Sequence, residues 1–212
     1  MIDQRELWDT KHAADEHAKY RGGPMTFARN VEPFFPRQAE VLDLGCGVAG
    51  DAYFFAQRGH HVIATDFSKT VIEQDKALLS HPNLSFSVLD MTGPLSFPTS
   101  SLDVVYAHLS LHYYDHETTV KVFNEIAGFL KPNGLFCFAC KSTKDSDFGQ
   151  GEEIAPDIFV SSKGHVRHFF TPDYVIELLS DAFVVQSLEE VTEYYVDKSA
   201  SFIRCVARRI IN

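Results

Sequence analysis

Long hydrophobic runs, a basic surplus and paired cysteines are all missing from this chain, and each absence removes a class of function. No stretch approaches the roughly 20 apolar residues that cross a bilayer. The opening Met1-Ile2-Asp3-Gln4-Arg5-Glu6 has no apolar core of a secretion signal. A cytoplasmic protein with no membrane partner is therefore expected. Lys and Arg number 19 against 29 Asp and Glu, a formal net charge of -10. Binding a phosphate backbone needs a basic face, so no nucleic-acid partner is expected. The four cysteines, Cys46, Cys137, Cys140 and Cys205, are scattered. Cys137 and Cys140 sit three apart in an apolar, strand-like run, which sends them to opposite faces. No second Cys/His pair completes a zinc pattern, so no metal is expected and the thiols read as small, reduced packing groups. Internal repeats and low-complexity tracts are absent too.

What the chain has is size and alternation. At 212 residues and 45% hydrophobic composition it can bury one sizeable core, and a single domain over 1–212 is expected. From Val41 onward strand-like and helix-like segments alternate, the pattern of a parallel α/β sheet. Strands are expected over 41–44, 62–65, 84–89, 102–107 and 135–139. One helix should run from Gly50 to about Gly59, and another follows Ser68 with Val71, Ile72, Leu78 and Leu79 on one face. A third carries Val120, Phe123, Ala127 and Leu130 inward, and Pro132-Asn133-Gly134 turns the chain into the fifth strand.

The alternation stops at 141. Residues 141–164 are polar and aperiodic, so 141–170 is expected to be a loop or lid insertion. Thr171-Pro172-Asp173 starts a helix, with Thr as cap and Pro at the first position. Two β-rich runs, 183–195 and 201–210, close the chain, with Asp197-Lys198-Ser199 as a candidate hairpin turn. Residues 1–36 form a helical cap: a polar helix over 3–19, a break at Gly22-Gly23-Pro24, and a short helix near 26–35. Such a cap either covers a ligand cleft or packs on the sheet edge.

The most informative stretch is Val41-Leu42-Asp43-Leu44-Gly45-Cys46-Gly47-Val48-Ala49-Gly50. Its glycines spell Gly-x-Gly-x-x-Gly, which lets a backbone approach a ligand at the end of a strand. A dinucleotide would bring its pyrophosphate to this turn, where helix amides attract anions. Asp43 opposes that: a carboxylate ~4 Å from a phosphate is repelled by roughly 4 kcal/mol at intermediate dielectric. An acid beside the turn suits a cationic ligand such as S-adenosylmethionine, which carries a sulfonium and an ammonium and no phosphate.

Together these segments resemble the class I S-adenosylmethionine-dependent methyltransferase family in its small stand-alone form. Val41 to Gly50 is similar to the family's first motif, and His61-Val62-Ile63-Ala64-Thr65-Asp66-Phe67-Ser68 to its second. Val88-Leu89-Asp90-Met91, the Pro98 to Val105 entry to the fourth strand, and Leu130-Lys131-Pro132-Asn133-Gly134-Leu135 resemble later motifs. The resemblance implies a Rossmann-like three-layer sandwich whose seven-stranded, mostly parallel sheet ends in an antiparallel hairpin. It implies S-adenosylmethionine as cofactor and a small-molecule acceptor, methylated by direct in-line displacement in a monomer or homodimer.

The resemblance also implies roles for single residues. Asp66, about 20 residues past the first glycine, would hold the ribose hydroxyls, or else serve as a helix N-terminal acid. Gly45, Cys46 and Gly47 would receive the methionine part, with Asp43 on its ammonium. Phe67 and Met91 would flank the adenine with Asp90 near its exocyclic amine, and His108 and Leu109 would form the floor near the methyl group. His112 is the candidate general base, since an imidazole titrates near neutral pH, and Tyr113 a candidate orienting group. The same residues also suit a plain polar helix start. Tyr20, Arg21, Arg167 and His168 are candidate lid contacts. Two rivals stay open: a non-catalytic S-adenosylmethionine-binding protein, and a nicotinamide-dependent oxidoreductase resting on Gly45, Gly47 and Gly50.

Overall fold

A computed structural model of the chain describes residues 4–14, 21, 23–194 and 199–210. Tyr20, Gly22, Asp197 and Lys198, singled out above, lie outside the described residues. Helices α1 (Gln4–Ala13) and α2 (Thr26–Val31) precede β1 (Glu40–Leu44), α3 (Gly50–Gln57), β2 (His61–Asp66), α4 (Lys69–Leu78) and β3 (Leu84–Val88). Then come β4 (Leu102–His108), α5 (His116–Phe129) and β5 (Leu130–Lys141). Three short strands follow, β6 (Glu152–Ala155), β7 (Ile158–Val160) and β8 (Val166–His168), and the chain ends with α6 (Pro172–Leu179), β9 (Phe183–Tyr194) and β10 (Ser199–Arg209).

Seven strands form one sheet in the order β3-β2-β1-β4-β5-β10-β9. The first five are parallel, and β10 runs antiparallel to both β5 and β9. This is the expected three-layer sandwich with its terminal hairpin. Strand alternation divides the core. Leu42, Leu44, Val105, Phe136 and Ile203 pack under α5 and α6, whereas Val41, Val104, Tyr106 and Leu135 pack under α2 and α3. Cys140 belongs to the first layer and Cys137 to the second, as an offset of three requires. The helix caps sit where short polar residues permit them. Ser68 Oγ accepts from Val71 N, Asp115 Oδ1 from Thr118 N and Thr171 Oγ1 from Tyr174 N.

Three details differ from the sequence reading. Leu78 is 62% exposed, and the buried side of α4 is Val71, Ile72 and Asp75, the last receiving Arg21 Nε at 3.0 Å. An apolar-only period could not count a buried acid on that face. The inner stripe of α5 is Val122, Phe123 and Ile126, with Val120 and Ala127 only half-buried. The insertion is not a bare loop. Its strands β6, β7 and β8 form an antiparallel sheet. Phe148, Phe159 and Phe169 pin it, ring to ring, at 5.3 to 6.0 Å. Strands of three or four residues are too short to show a period of two.

Candidate functional site

β1 lies between β2 and β4, so the strand order reverses there, and open α/β sheets receive ligands at the carboxyl ends of such strands. A cavity of about 490 Å³ opens at that place, within the range of small-molecule sites. Its floor is the Gly45-Cys46-Gly47-Val48 turn after β1, Asp66 and Phe67 after β2, and Leu89 and Met91 after β3. His108, Leu109 and Ser110 continue it past the end of β4.

The two glycines of the turn are needed for different reasons. At Gly45, φ is +76°, and a Cβ would lie 2.3 Å from the Cβ of Ser110, whose Oγ donates to Leu44 O at 2.5 Å. That glycine admits the neighbouring loop. At Gly47, φ is +52° and a Cβ would meet nothing within 4 Å, so the bare backbone faces open space. Its N–H donates to Asp66 Oδ2 at 3.0 Å, while Asp66 Oδ1 accepts from Ser68 N at 2.9 Å. Burial pushes the Asp66 carboxyl up to about 6, even though these amides pull it back down.

Asp43 shares the face of Val41 and so points toward α3, not into the main cavity. There it lines a side chamber of about 80 Å³ together with Asp51 of α3. The two chambers share Met25, Gly45, Cys46, Val48 and His108. Burial, reinforced by Asp51 and Asp66, raises the Asp43 carboxyl well above its usual range. Asp51 is placed by Met25 N–H on Oδ1 at 2.6 Å and by the Tyr106 hydroxyl on Oδ2 at 2.7 Å. The second acid escaped the sequence reading because it sits one position into a helix, a routine place for an Asp.

The cavity roof is α1, whose Gln4, Trp8, Lys11 and His12 line it. Gln4 holds the insertion at both ends of its amide, donating to Gly164 O at 2.7 Å and accepting from Val166 N at 3.0 Å. Ser68 Oγ donates to Asp9, Gln74 Nε2 donates to His12 O, and Arg5 pairs with Asp90. Trp8 packs edge-on to Tyr113 at 5.4 Å and to His165 at 5.7 Å. The structure thus places α1 across the cavity.

The other candidate residues divide clearly. Cys46, Phe67, Met91, His108, Leu109 and Tyr113 line the main cavity. Asp90 does not. Its carboxylate accepts from Thr92 N and Thr92 Oγ1 and pairs with Arg5; burial raises its carboxyl, but these contacts outweigh it and hold it below the usual range. His112 does not line it either, which corrects its assignment as base. It is 1% exposed, and burial with Arg167 nearby pushes its imidazole well below the usual range. Its one-turn 3₁₀ segment, Leu111–Tyr113, sends neighbouring side chains in different directions, so Tyr113 reaches the cavity and His112 the interior. Burial pushes the Tyr113 phenol up to about 12, against the opposing pull of the nearby Arg167 guanidinium. Burial also lowers His108, which stacks on Phe27 and Tyr106. Arg167 lines the cavity, whereas His168 bonds Tyr114 O and Arg21 pairs with Asp75.

Sequence reasoning missed Trp8, His165, Glu193, Phe202 and Arg204, all on the cavity wall. One signal for Arg204 was present. Ile203 and Cys205 face the core under α5 and α6, so alternation sends Phe202 and Arg204 to the opposite face. Register then aligns His108, Ala139 and Arg204 across β4, β5 and β10 on that face.

Residues 41–134 match the family described as methyltransferase domain. Phosphoethanolamine N-methyltransferase 1 of Triticum aestivum is 33% identical over 97 residues, 44% of this chain and 20% of that protein. The tRNA N(3)-cytidine methyltransferase of Danio rerio is 27% identical over 157 residues, 67% of this chain and 44% of that protein. The chain therefore spans a fifth to under a half of the length of these curated relatives. The 1,6-didemethyltoxoflavin-N1-methyltransferase of Burkholderia thailandensis has the same fold, with a TM-score of 0.74 at 17% identity over 98% of this chain and 88% of that one. By the match over residues 41–134 and by its fold, the chain is similar to S-adenosylmethionine-dependent methyltransferases.

Proposed function

We propose that this chain transfers a methyl group from S-adenosylmethionine to a small-molecule acceptor. The observation that carries the reading is the roofed cavity of about 490 Å³ in which the bare Gly47 backbone and the Asp66 carboxylate meet. The residues present fit the cofactor. Asp66 would take the ribose hydroxyls, Phe67 and Met91 the adenine, and the paired acids Asp43 and Asp51 the ammonium. When bound, it supplies a methyl group made electrophilic by a sulfonium. The chain's own part is alignment and proton removal. His108 lies at the end of β4, kept neutral near pH 7 by burial, and takes the proton from the attacking atom. Tyr113 orients the acceptor, and Trp8 with the rest of α1 excludes water. A roofed cavity in a chain of net charge -10 favours a small acceptor over the tRNA that the zebrafish relative's name gives for that protein. Four free cysteines suit a reducing, cytoplasmic setting.

Calorimetry with S-adenosylhomocysteine and with NAD, followed by transfer of labelled methyl groups over panels of small acceptors and tRNA, tests this reading. The expected result is binding of the first ligand only and label in a small acceptor. Binding of NAD alone would make the protein an oxidoreductase. Tight binding with no transfer to any acceptor would make it a non-catalytic binding protein.

A further inference from the structure

The two acids of the side chamber are not equivalent. Asp43 is 2% exposed and Asp51 8%, and both line the same space of about 80 Å³. Among the described residues that line it, none is a Lys or an Arg. Its other titratable wall groups, His108 and Cys46, are held uncharged by burial, which lowers the imidazole and raises the thiol. Two carboxylates that share one small buried chamber do not both stay charged, and a single ammonium balances only one of them. Hydrogen bonding decides which. Asp51 receives a donor on each oxygen: Met25 N–H on Oδ1 at 2.6 Å and the Tyr106 hydroxyl on Oδ2 at 2.7 Å. The Asp43 carboxylate receives none from the described residues, and burial with Asp51 and Asp66 nearby favours its protonated form. Donors stabilise the charge of a carboxylate, and one donor per oxygen still leaves lone pairs for a cation.

The donor from β4 is fixed by the sheet. Tyr106 is the register partner of Asp43 and shares its face, and its ring carries the hydroxyl from the sheet to α3. The side chain is 0% exposed and packs against Phe55 at 5.0 Å and Phe27 at 5.7 Å, so the hydroxyl has one direction open to it. We propose that Asp51, and not Asp43 of the glycine motif, is the carboxylate that meets the cofactor's ammonium, with Tyr106 as its positioning residue. This rests on the methyltransferase reading above and assigns the amino-acid end of the same site. No proton is gained or lost: the ammonium arrives charged, Asp51 is its counter-charge, and Asp43 keeps its proton.

Calorimetry on the full chain with two ligands tests this. S-adenosylhomocysteine carries the ammonium, whereas 5′-methylthioadenosine has the same adenosine and sulfur without the amino-acid tail. The wild type should bind the first about tenfold or more tighter. Asp51→Asn should weaken S-adenosylhomocysteine about tenfold or more and 5′-methylthioadenosine by less than about twofold. Asp43→Asn should weaken S-adenosylhomocysteine about fivefold less than Asp51→Asn does. Tyr106→Phe keeps the ring and removes only the hydroxyl. It should weaken S-adenosylhomocysteine about threefold or more, with 5′-methylthioadenosine again within about twofold. A merely structural role would move both ligands alike. Equal wild-type affinity for the two ligands, an equal loss of both in Asp51→Asn, or as large a loss in Asp43→Asn as in Asp51→Asn overturns the proposal. Unchanged S-adenosylhomocysteine affinity in Tyr106→Phe, or loss of all binding in that variant and in Asp51→Asn, overturns it too. Failure of the wild type to bind S-adenosylhomocysteine overturns the cofactor reading instead.

Discussion

The two ends of the cavity are built on different principles. The end over β1 and β2 is made of backbone and of residues adjacent in sequence: Gly45 to Val48, then Asp66 and Phe67. The end over β5 and β10 is made of side chains brought from α1, from β8 of the insertion and from the terminal hairpin, at positions as far apart as Trp8 and Arg204. A backbone site needs a particular local conformation, so it leaves a compact motif. A side-chain site needs only that distant segments converge, and convergence leaves no local mark.

Predictions that break or sharpen this contrast begin with the proposed base between the two ends. His108→Gln should lower kcat about a hundredfold and flatten the acid limb of the pH profile, while His112→Gln leaves kcat of the folded protein within about twofold. Steady-state kinetics on both variants decides, and the reverse ranking would put the proton transfer on the buried side of the 3₁₀ turn. Within the backbone end, Gly45→Ala should cost about 3 kcal/mol or more of stability, since its Cβ would run into Ser110. Gly47→Ala should cost only about 1 kcal/mol for its positive φ, yet weaken S-adenosylhomocysteine binding about tenfold or more by filling the open side of the turn. Denaturant melts and calorimetry separate the two glycines, and equal stability losses would show that the turn is not divided as described.

Asp66 gives the pH dependence. Its carboxyl lies at about 6 in the folded chain against 3.8 unperturbed, so the proton favours the folded state. The group weighs against folding above about pH 6 and ceases to do so below about pH 4. Under the proposed cofactor reading ligand affinity runs the other way, because two ribose hydroxyls would need the ionised form. Between pH 7 and 5 the affinity for S-adenosylhomocysteine should fall about tenfold, and Asp66→Asn should bind weakly with no such slope. A slope unchanged in that variant would move the titrating group elsewhere. At the side-chain end, the single tryptophan, Trp8, sits in the roof. Its emission should change on ligand binding, and an unchanged spectrum at saturation would take α1 off the cavity. The smallest effect expected is that of Arg5→Ala. That pair is half exposed, with Arg5 at 54%, so its loss should change stability by less than about 1 kcal/mol, read by thermal melting. A larger loss would make the ion pair, rather than the part-buried bonds of Gln4 and Asp9, the anchor of the roof.

The same contrast governs what could be read before the fold was known. Five parallel strands, the helices after Ser68 and Thr171, and a candidate terminal hairpin followed from alternation, caps and turn residues, because each leaves a local pattern in the sequence. The short strands of the insertion carried too few residues to show a period. Leu78 failed because Asp75, buried against Arg21, took the core-facing place that hydrophobicity assigns to leucine. His112 failed for a related reason: type and neighbourhood suggested a base, but the turn that carries it directs Tyr113 outward and His112 inward. Asp90 fits its motif, yet its carboxylate is taken up by Thr92 and by Arg5 of α1, a contact 85 residues away along the chain.

By itself the sequence determined the strand and helix alternation and the acid and glycines of the turn after β1, because these leave a pattern or need φ angles set within a few residues. Only the tertiary structure decided which histidine reaches the cavity, which second acid joins Asp43, and which arginines line the cavity wall. Those outcomes depend on which face of each strand and helix meets another element, and packing settles that across the whole chain at once.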